Sequence, residues 1–287
     1  MDTEKLHDFS MRDNWEVKLT RMGNIKVIQY LSKRNTRQII QRLDKDTYMN
    51  LATGEICEVN HMENRADDKR SIQKTMYAGK AIINTNVTDV RKGKFVTGTY
   101  VENMTDFKKL YKDIEYFVKK MRKKYGHFEH ITAREPQERG AWHFHMIMIF
   151  DRIAPYIPNH EIQDVWGHGI TFTKKIDGVD DLGTYLTSYL TDVPVLNDAD
   201  ILPGDVIKVN DDGKKFKKGA RLKYYPPGMR VFTWSKGIKK PEVEYTDYAT
   251  AKKEVSSDKL TFCSSLRLKD DKYQTVIHKE YYNKIRK

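Results

Sequence analysis

The segment RGAWHFHMIMIF, residues 139–150, sets His143 and His145 two positions apart in an otherwise apolar run. In an extended strand, residues two apart share a face. The imidazoles therefore stand side by side while Trp142, Phe144, Met146 and Met148 occupy the other face. Ile147 and Ile149 continue the histidine side, the pattern of a central strand covered on both faces. Imidazole nitrogens buried there need partners, and a divalent cation is an economical one. A carboxylate would complete the set. Glu135 lies across the turn predicted at PQERG, where hairpin pairing brings it near the histidines; Glu129, Glu138 and Asp151 are rivals. Two imidazoles and a carboxylate with positions left open suit a catalytic Mg²⁺ or Mn²⁺ ion better than a closed structural site. Further along, DDLGTYLTSYLTD carries Tyr185 and Tyr189 four apart, one stripe of a helix beside Leu182, Leu186 and Leu190.

The elements that must position these residues read clearly from about Gly93. KFVTGTY is β-branched and aromatic, and the next stretch has Phe107, Leu110, Ile114, Phe117, Val118 and Met121 at helical spacing, with Asp106 before and Gly126 after. Two extended runs flanking PQERG predict a β-hairpin. A helix at NHEIQDVW, a strand at GITFTKKI and a helix from about Val179 to Thr191 complete the order βαββαβα. All but the last helix follow the split βαβ order, a ferredoxin-like, RRM-like α+β fold with helices on one face of an antiparallel sheet. The expected domains are an N-terminal extension over 1–92, either within the same globule or apart from it, a catalytic domain over 93–195 and a basic C-terminal region over 196–287.

The 287 residues carry 52 Lys and Arg against 40 Asp and Glu, a formal charge of +12, which favours a polyanionic partner. From Gly204 to Lys240 there are 11 Lys or Arg and three Asp, interleaved with Phe216, Tyr224, Tyr225, Phe232 and Trp234. Cations that track phosphates and rings that stack on bases suit single-stranded nucleic acid. The two cysteines, Cys57 and Cys263, show neither disulfide-framework nor CxxC spacing, which fits a reducing cytoplasm. The N-terminus lacks the apolar core of a signal peptide, and Met146–Phe150 is too short to span a bilayer, so a soluble protein with no membrane partner is expected. No GxxxxGK[ST] loop is present, so strand unwinding would fall to a host helicase.

FVTGTY, EPQERGAWHFH and YLTSYLT, in that order and spacing over about residues 93–192, resemble the three motifs of the HUH endonucleases. They are most similar to the rolling-circle replication initiators of Gram-positive plasmids and phages, and YPPGMRVFTWSKGIKKP resembles their downstream region. The resemblance implies the HUH endonuclease fold, with His143, His145 and Glu135 holding Mg²⁺ or Mn²⁺. It makes Tyr185 or Tyr189 the nucleophile that nicks origin single-stranded DNA, leaving a 5′-phosphotyrosine link and a 3′-hydroxyl for a host DNA polymerase. Arg139, Lys174, Lys175, Lys223, Tyr224, Arg230 and Trp234 are the residues expected on the DNA. The family often has Lys three residues after its first tyrosine, where this chain has Ser188; Lys174 or Lys175 is the candidate substitute. In the first motif Gly98 stands where Leu is common, which leaves the strand without a side chain to pack there. Alternative readings are a relaxase or tyrosine transposase of the same superfamily, and a non-catalytic single-strand-binding module.

Overall fold

The computed structural model describes residues 2–34, 38–61, 69–137, 140–174, 176, 183, 193–195, 207–209, 213–217, 224–226, 229–269 and 273–285. In chain order these begin with β1 (Asp2–Lys5), β2 (Glu16–Met22), β3 (Ile25–Leu31), β4 (Ile40–Arg42), β5 (Thr47–Asn50) and β6 (Ile56–Glu58). Helix α1 (Lys69–Asn86) leads to β7 (Gly93–Gly98), α2 (Phe107–Tyr125), the hairpin β8 (Glu129–Pro136) and β9 (Trp142–Ile149), α3 (Asn159–Trp166) and β10 (Thr171–Lys174). Short strands β11 (Val193–Pro194), β12 (Ile207–Val209), β13 (Lys215–Lys217) and β14 (Phe232–Trp234) follow. The chain ends with β15 (Glu242–Asp247), α4 (Tyr248–Glu254), β16 (Lys259–Lys269) and β17 (Gln274–Asn283). This is an α+β protein with antiparallel sheets and, among the described residues, four α-helices. No described helix is long and apolar enough to cross a membrane.

Two compact units divide the chain: Met1–Arg21, Lys26–Glu63 and Val243–Lys287 form one, Met22–Ile25 and Asn64–Glu242 the other. These limits differ from the expected breaks at 92/93 and 195/196. The amphipathic helix α1 places Ile82, Ile83 and Val87 in the same core as the motif strands, and β14, from the basic stretch, pairs with β8. The terminal unit is built on a six-stranded sheet of order β1-β16-β17-β3-β2-β15, so both ends of the chain meet in one sheet. Its core contains Val17, Leu19, Ile28, Ala251, Val255 and Tyr282, with Asp247 capping α4 through the Thr250 amide. A separate meander, β4-β5-β6, belongs to the same unit.

The central unit holds a five-stranded sheet of order β10-β7-β9-β8-β14. Helix α2 forms where the spacing predicts it, because Leu110, Ile114, Phe117, Val118 and Met121 make one buried stripe and the Asp106 carboxylate accepts the Lys108 and Lys109 amides. The rings of Phe117 on α2 and Trp166 on α3 meet Phe144 at 5.8 and 4.9 Å, which fixes both helices on the Phe144 face of β9. The opposite face is covered differently. Gly79 of α1 approaches Phe232 so closely that an added Cβ would lie 2.5 Å from its ring, and a Cβ on Gly93 would stand 3.8 Å from the Val87 side chain. Phe232 and Gly93 both lie on the histidine face, as the ladders show below. Helix α1 therefore crosses that face, so the helices of this unit are not confined to one face. The helix expected from Val179 to Thr191 lies outside the described residues apart from Gly183.

Gly98 has a packing reason that its sequence does not disclose. It pairs with Phe144, and a Cβ there would stand 2.1 Å from a ring that is fully buried. The missing side chain is the room the ring occupies. Gly98→Ala is expected to cost about 1–3 kcal/mol by overpacking, read as a lowered denaturant midpoint; an unchanged midpoint would contradict this packing.

Burial, reinforced by the Arg122 charge, pulls the His130 imidazole from 6.5 to about 4. Because the folded value is the depressed one, the unfolded chain binds the extra proton between those limits. Stability should therefore fall as pH drops through that window, by at most about 3 kcal/mol. Carboxylates held low, such as Glu280 at about 2, act only at still lower pH. Urea midpoints from about pH 7 down to about pH 4.5 should decline in the wild type and decline less in His130→Asn. Equal slopes in both would remove His130 as the cause.

Candidate active site

The β8–β9 hairpin turns at Gly140, whose φ of 84° favours glycine, and closes with a Gln137 amide to Ala141 carbonyl bond of 2.7 Å. The ladder above the turn pairs Glu135 with His143 and Ala133 with His145. On the other side of β9, Thr97 pairs with His145. Directly opposed residues share a face, so Glu135, His143, His145 and Thr97 converge on one surface of the sheet. Glu135 Oε2 lies 2.5 Å from His145 Nε2, and Thr97 Oγ1 lies 2.9 Å from His145 Nδ1. The Phe95 ring stacks on the imidazole at 5.7 Å with planes 7° apart. Glu135 is only 7% exposed. His145 is thus held through both nitrogens and one ring face, and its rotamer is determined before any ligand arrives.

Of the rival carboxylates, Glu129 lies six residues down β8, about 20 Å from Glu135, and is engaged with His127 and the Gly237 amide. Asp151 follows β9 at the end remote from His143. Glu138, Arg139, Lys175, Tyr185, Tyr189 and Lys223 lie outside the described residues.

The residues expected on DNA fall in several places. Lys174 pairs with Phe95, so it projects on the site face from the edge strand β10; Trp234 pairs with Ile131 and projects on the same face from the opposite edge. Phe172, 61% exposed and paired with Thr97, joins them, a residue that its place in a short strand does not single out. Arg230 is exposed just before β14, and its carbonyl accepts from Arg134 and from the Tyr111 hydroxyl. Tyr224 is half-buried beside Tyr225, which is buried and donates to the Arg134 carbonyl at 2.8 Å.

Two contributors carry no signal of their own in the sequence. Thr97 sits within FVTGTY, yet its role is visible only once the β7–β9 register is known. Asn84 of α1, 6% exposed, accepts the Gly183 amide at 2.9 Å. A Cβ on Gly183 would stand 2.5 Å from the Lys80 carbonyl. Gly183, two positions before Tyr185, is thereby moored to the helix that crosses the site face.

The donor set fits a hard divalent ion. It offers two imidazoles on one strand and a buried carboxylate across from them, with Thr97 as the outer partner that orients one ring. Residues 93–193 match the model of a family described as Replication-associated protein, of the ORF2 type, over well under half of the chain. That stretch is similar to replication-associated proteins and is consistent with a replication initiator. No curated protein and no solved structure matches the chain.

Thr97→Val keeps the shape and removes the hydroxyl that grips His145 Nδ1. It is expected to weaken Mn²⁺ binding by about 10- to 100-fold, measured by titration calorimetry, with Thr97→Ser close to wild type. Unchanged affinity in Thr97→Val would separate the hydroxyl from the site.

Proposed function

We propose that the chain is a rolling-circle replication initiator that nicks and rejoins single-stranded origin DNA through a covalent phosphotyrosine link. The observation that carries this reading is the buried Glu135 carboxylate held against His145 and directly across the ladder from His143, within the stretch similar to replication-associated proteins. The strand order β10-β7-β9-β8, with α2 and α3 on one face, supports a ferredoxin-like core of the HUH type, extended by β14.

His143, His145 and Glu135 would hold Mg²⁺ or Mn²⁺, which when bound polarises a phosphate and offsets developing charge. Tyr185 or Tyr189 supplies the phenol oxygen. Its O–P bond forms as the P–O3′ bond breaks; the phenol proton is lost and the 3′-oxygen takes one up, leaving a 5′-phosphotyrosine and a free 3′-hydroxyl. Attack of a 3′-hydroxyl on that link reverses the step and joins strands. Thr97 and Phe95 keep the His145 ring in place. Lys174, Phe172 and Trp234, on the same face, provide a cation for the backbone and rings for bases. Asn84 and Gly183 position the tyrosine segment on α1. The 3′-hydroxyl is the substrate a polymerase extends, so host polymerase and helicase are the expected partners.

Incubation with Mn²⁺ and single-stranded DNA from the chain's own replicon should yield a detergent-resistant adduct, lost in the Tyr185→Phe, Tyr189→Phe double variant. An adduct that persists without both phenols would sink the nucleophile assignment. Gly183→Ala and Asn84→Ala should slow adduct formation by about tenfold or more while Mn²⁺ and DNA affinities hold, since small misplacement of a nucleophile is costly. Asn84→Asp retains the acceptor and should restore the rate.

A further inference from the structure

Among the described residues, one cluster of ligand-type side chains has no part in this chemistry: Cys263, His278 and Glu280, whose ligand atoms all lie within 4.8 Å of one another. The β16–β17 ladder creates it. Cys263 pairs with Glu280 and Ser265 with His278, so all four share one face of the sheet in the terminal unit. His278 and Glu280 are 4% and 5% exposed. Their outer atoms are already gripped. Ser265 Oγ lies 2.8 Å from His278 Nδ1, the Tyr248 hydroxyl donates to Glu280 Oε1 at 2.8 Å, and Tyr282 and Lys252 donate to Oε2 at 2.6 and 3.4 Å. What joins the two inner atoms is a single contact, His278 Nε2 to Glu280 Oε1 at 3.1 Å.

We propose that Cys263, His278 and Glu280 bind a thiophilic divalent cation of the Zn²⁺ class, leaving a coordination position open. Ligating side chains are oriented by hydrogen bonds to their non-ligating atoms, and that outer set is complete here in Ser265, Tyr248, Tyr282 and Lys252. Entry of the cation replaces only the Nε2–Oε1 hydrogen bond. The imidazole ligates as the neutral ring, its proton on Nδ1 and donated to Ser265 Oγ. The Cys263 thiol loses its proton to solvent, so thiolate and carboxylate balance the two charges and one proton is released per ion. The Lys252 ammonium opposes the ion and moderates its affinity. Sulfur separates this site from the oxygen-and-imidazole set on β8 and β9, which favours Mg²⁺ or Mn²⁺. The inference stands on the terminal unit alone and is independent of the nicking reading.

The test uses the full chain, stripped with a chelator and titrated with Co²⁺. A thiolate-to-cobalt charge-transfer band should develop to one equivalent and be displaced by Zn²⁺. It should persist in Cys57→Ser and in the His143→Ala, His145→Ala double variant and vanish in Cys263→Ser, a conservative change at an exposed position. Glu280→Gln should weaken Zn²⁺ binding by about tenfold or more, and Zn²⁺ should raise the melting temperature of the wild type but not of Cys263→Ser. Absence of the band in the wild type, or its survival in Cys263→Ser, overturns the proposal. Covalent adduct formation with Mn²⁺ is expected to survive Cys263→Ser, so this site and the nicking site fail separately.

Discussion

The β8–β9 register is the constraint on which the candidate active site depends. Side-chain direction alternates along a strand, so a slip of one residue would turn Glu135 away from His143 and His145 and present Arg134 or Pro136 instead. Register is secured well beyond the hairpin turn. Arg134, 2% exposed, stacks its guanidinium 3.6 Å over the Tyr111 ring and donates to the Arg230 carbonyl and the Thr233 hydroxyl. Its own amide donates to Val231 and its carbonyl accepts from Tyr225. Burying that cation on the far face of β8 commits Glu135 to the near face. The burial pulls the guanidinium to about 10, still charged at neutral pH, so a slipped strand would leave a desolvated charge without these partners.

The two faces of the central sheet carry different burdens. Phe144, Met146 and Met148 give the α2–α3 face a continuous apolar surface. The other face is apolar only toward the Gly93–Ile149 end, where α1 lies over it. From Gly79, against Phe232 on β14, to Val87, near Gly93 on β7, is eight residues of helix, about 12 Å. Three strand spacings are about 14 Å. The helix therefore spans the width from β14 to β7 and buries that half, while Glu135 and His143 sit at the other end of the same strands.

Much of this was legible in the sequence, and the remainder was not for definable reasons. Periodicity located β7, α2, β8, β9, α3 and β10, because each has a long enough pattern and a clear cap or turn, such as Asp106, Gly126 or Gly140. Periodicity carries no partner information, however. Helix α1 is as amphipathic as α3, yet nothing local in IQKTMYAGKAIINTN says that its apolar stripe belongs with strands downstream. Likewise β14 is three residues long and reads as one more basic, aromatic loop until its pairing with β8 is seen. The Glu135–His143 juxtaposition could be anticipated, since a hairpin folds its two arms together. Thr97 and Asn84 could not, because their partners are 48 and 99 residues away in sequence.

A carboxylate as buried as Glu135 is unfavourable unless something compensates its charge. Its surroundings narrow what that something can be. The Arg134 guanidinium points to the opposite face and is engaged there, and Lys174 stands on the edge strand, three strands away across β7 and β9. The group pressed against the carboxylate is the His145 imidazole, which compensates the charge in full only when it carries a proton on both nitrogens. With Thr97 on the outer nitrogen, the ring can turn a lone pair inward without losing that partner. The same three groups that form a tolerable hydrogen-bonded chain by themselves thus become a better solution when a cation replaces the proton between imidazole and carboxylate. That asymmetry, built by strand register and sustained by α1 at its back, is the physical basis for reading this end of the sheet as the place where the chemistry happens.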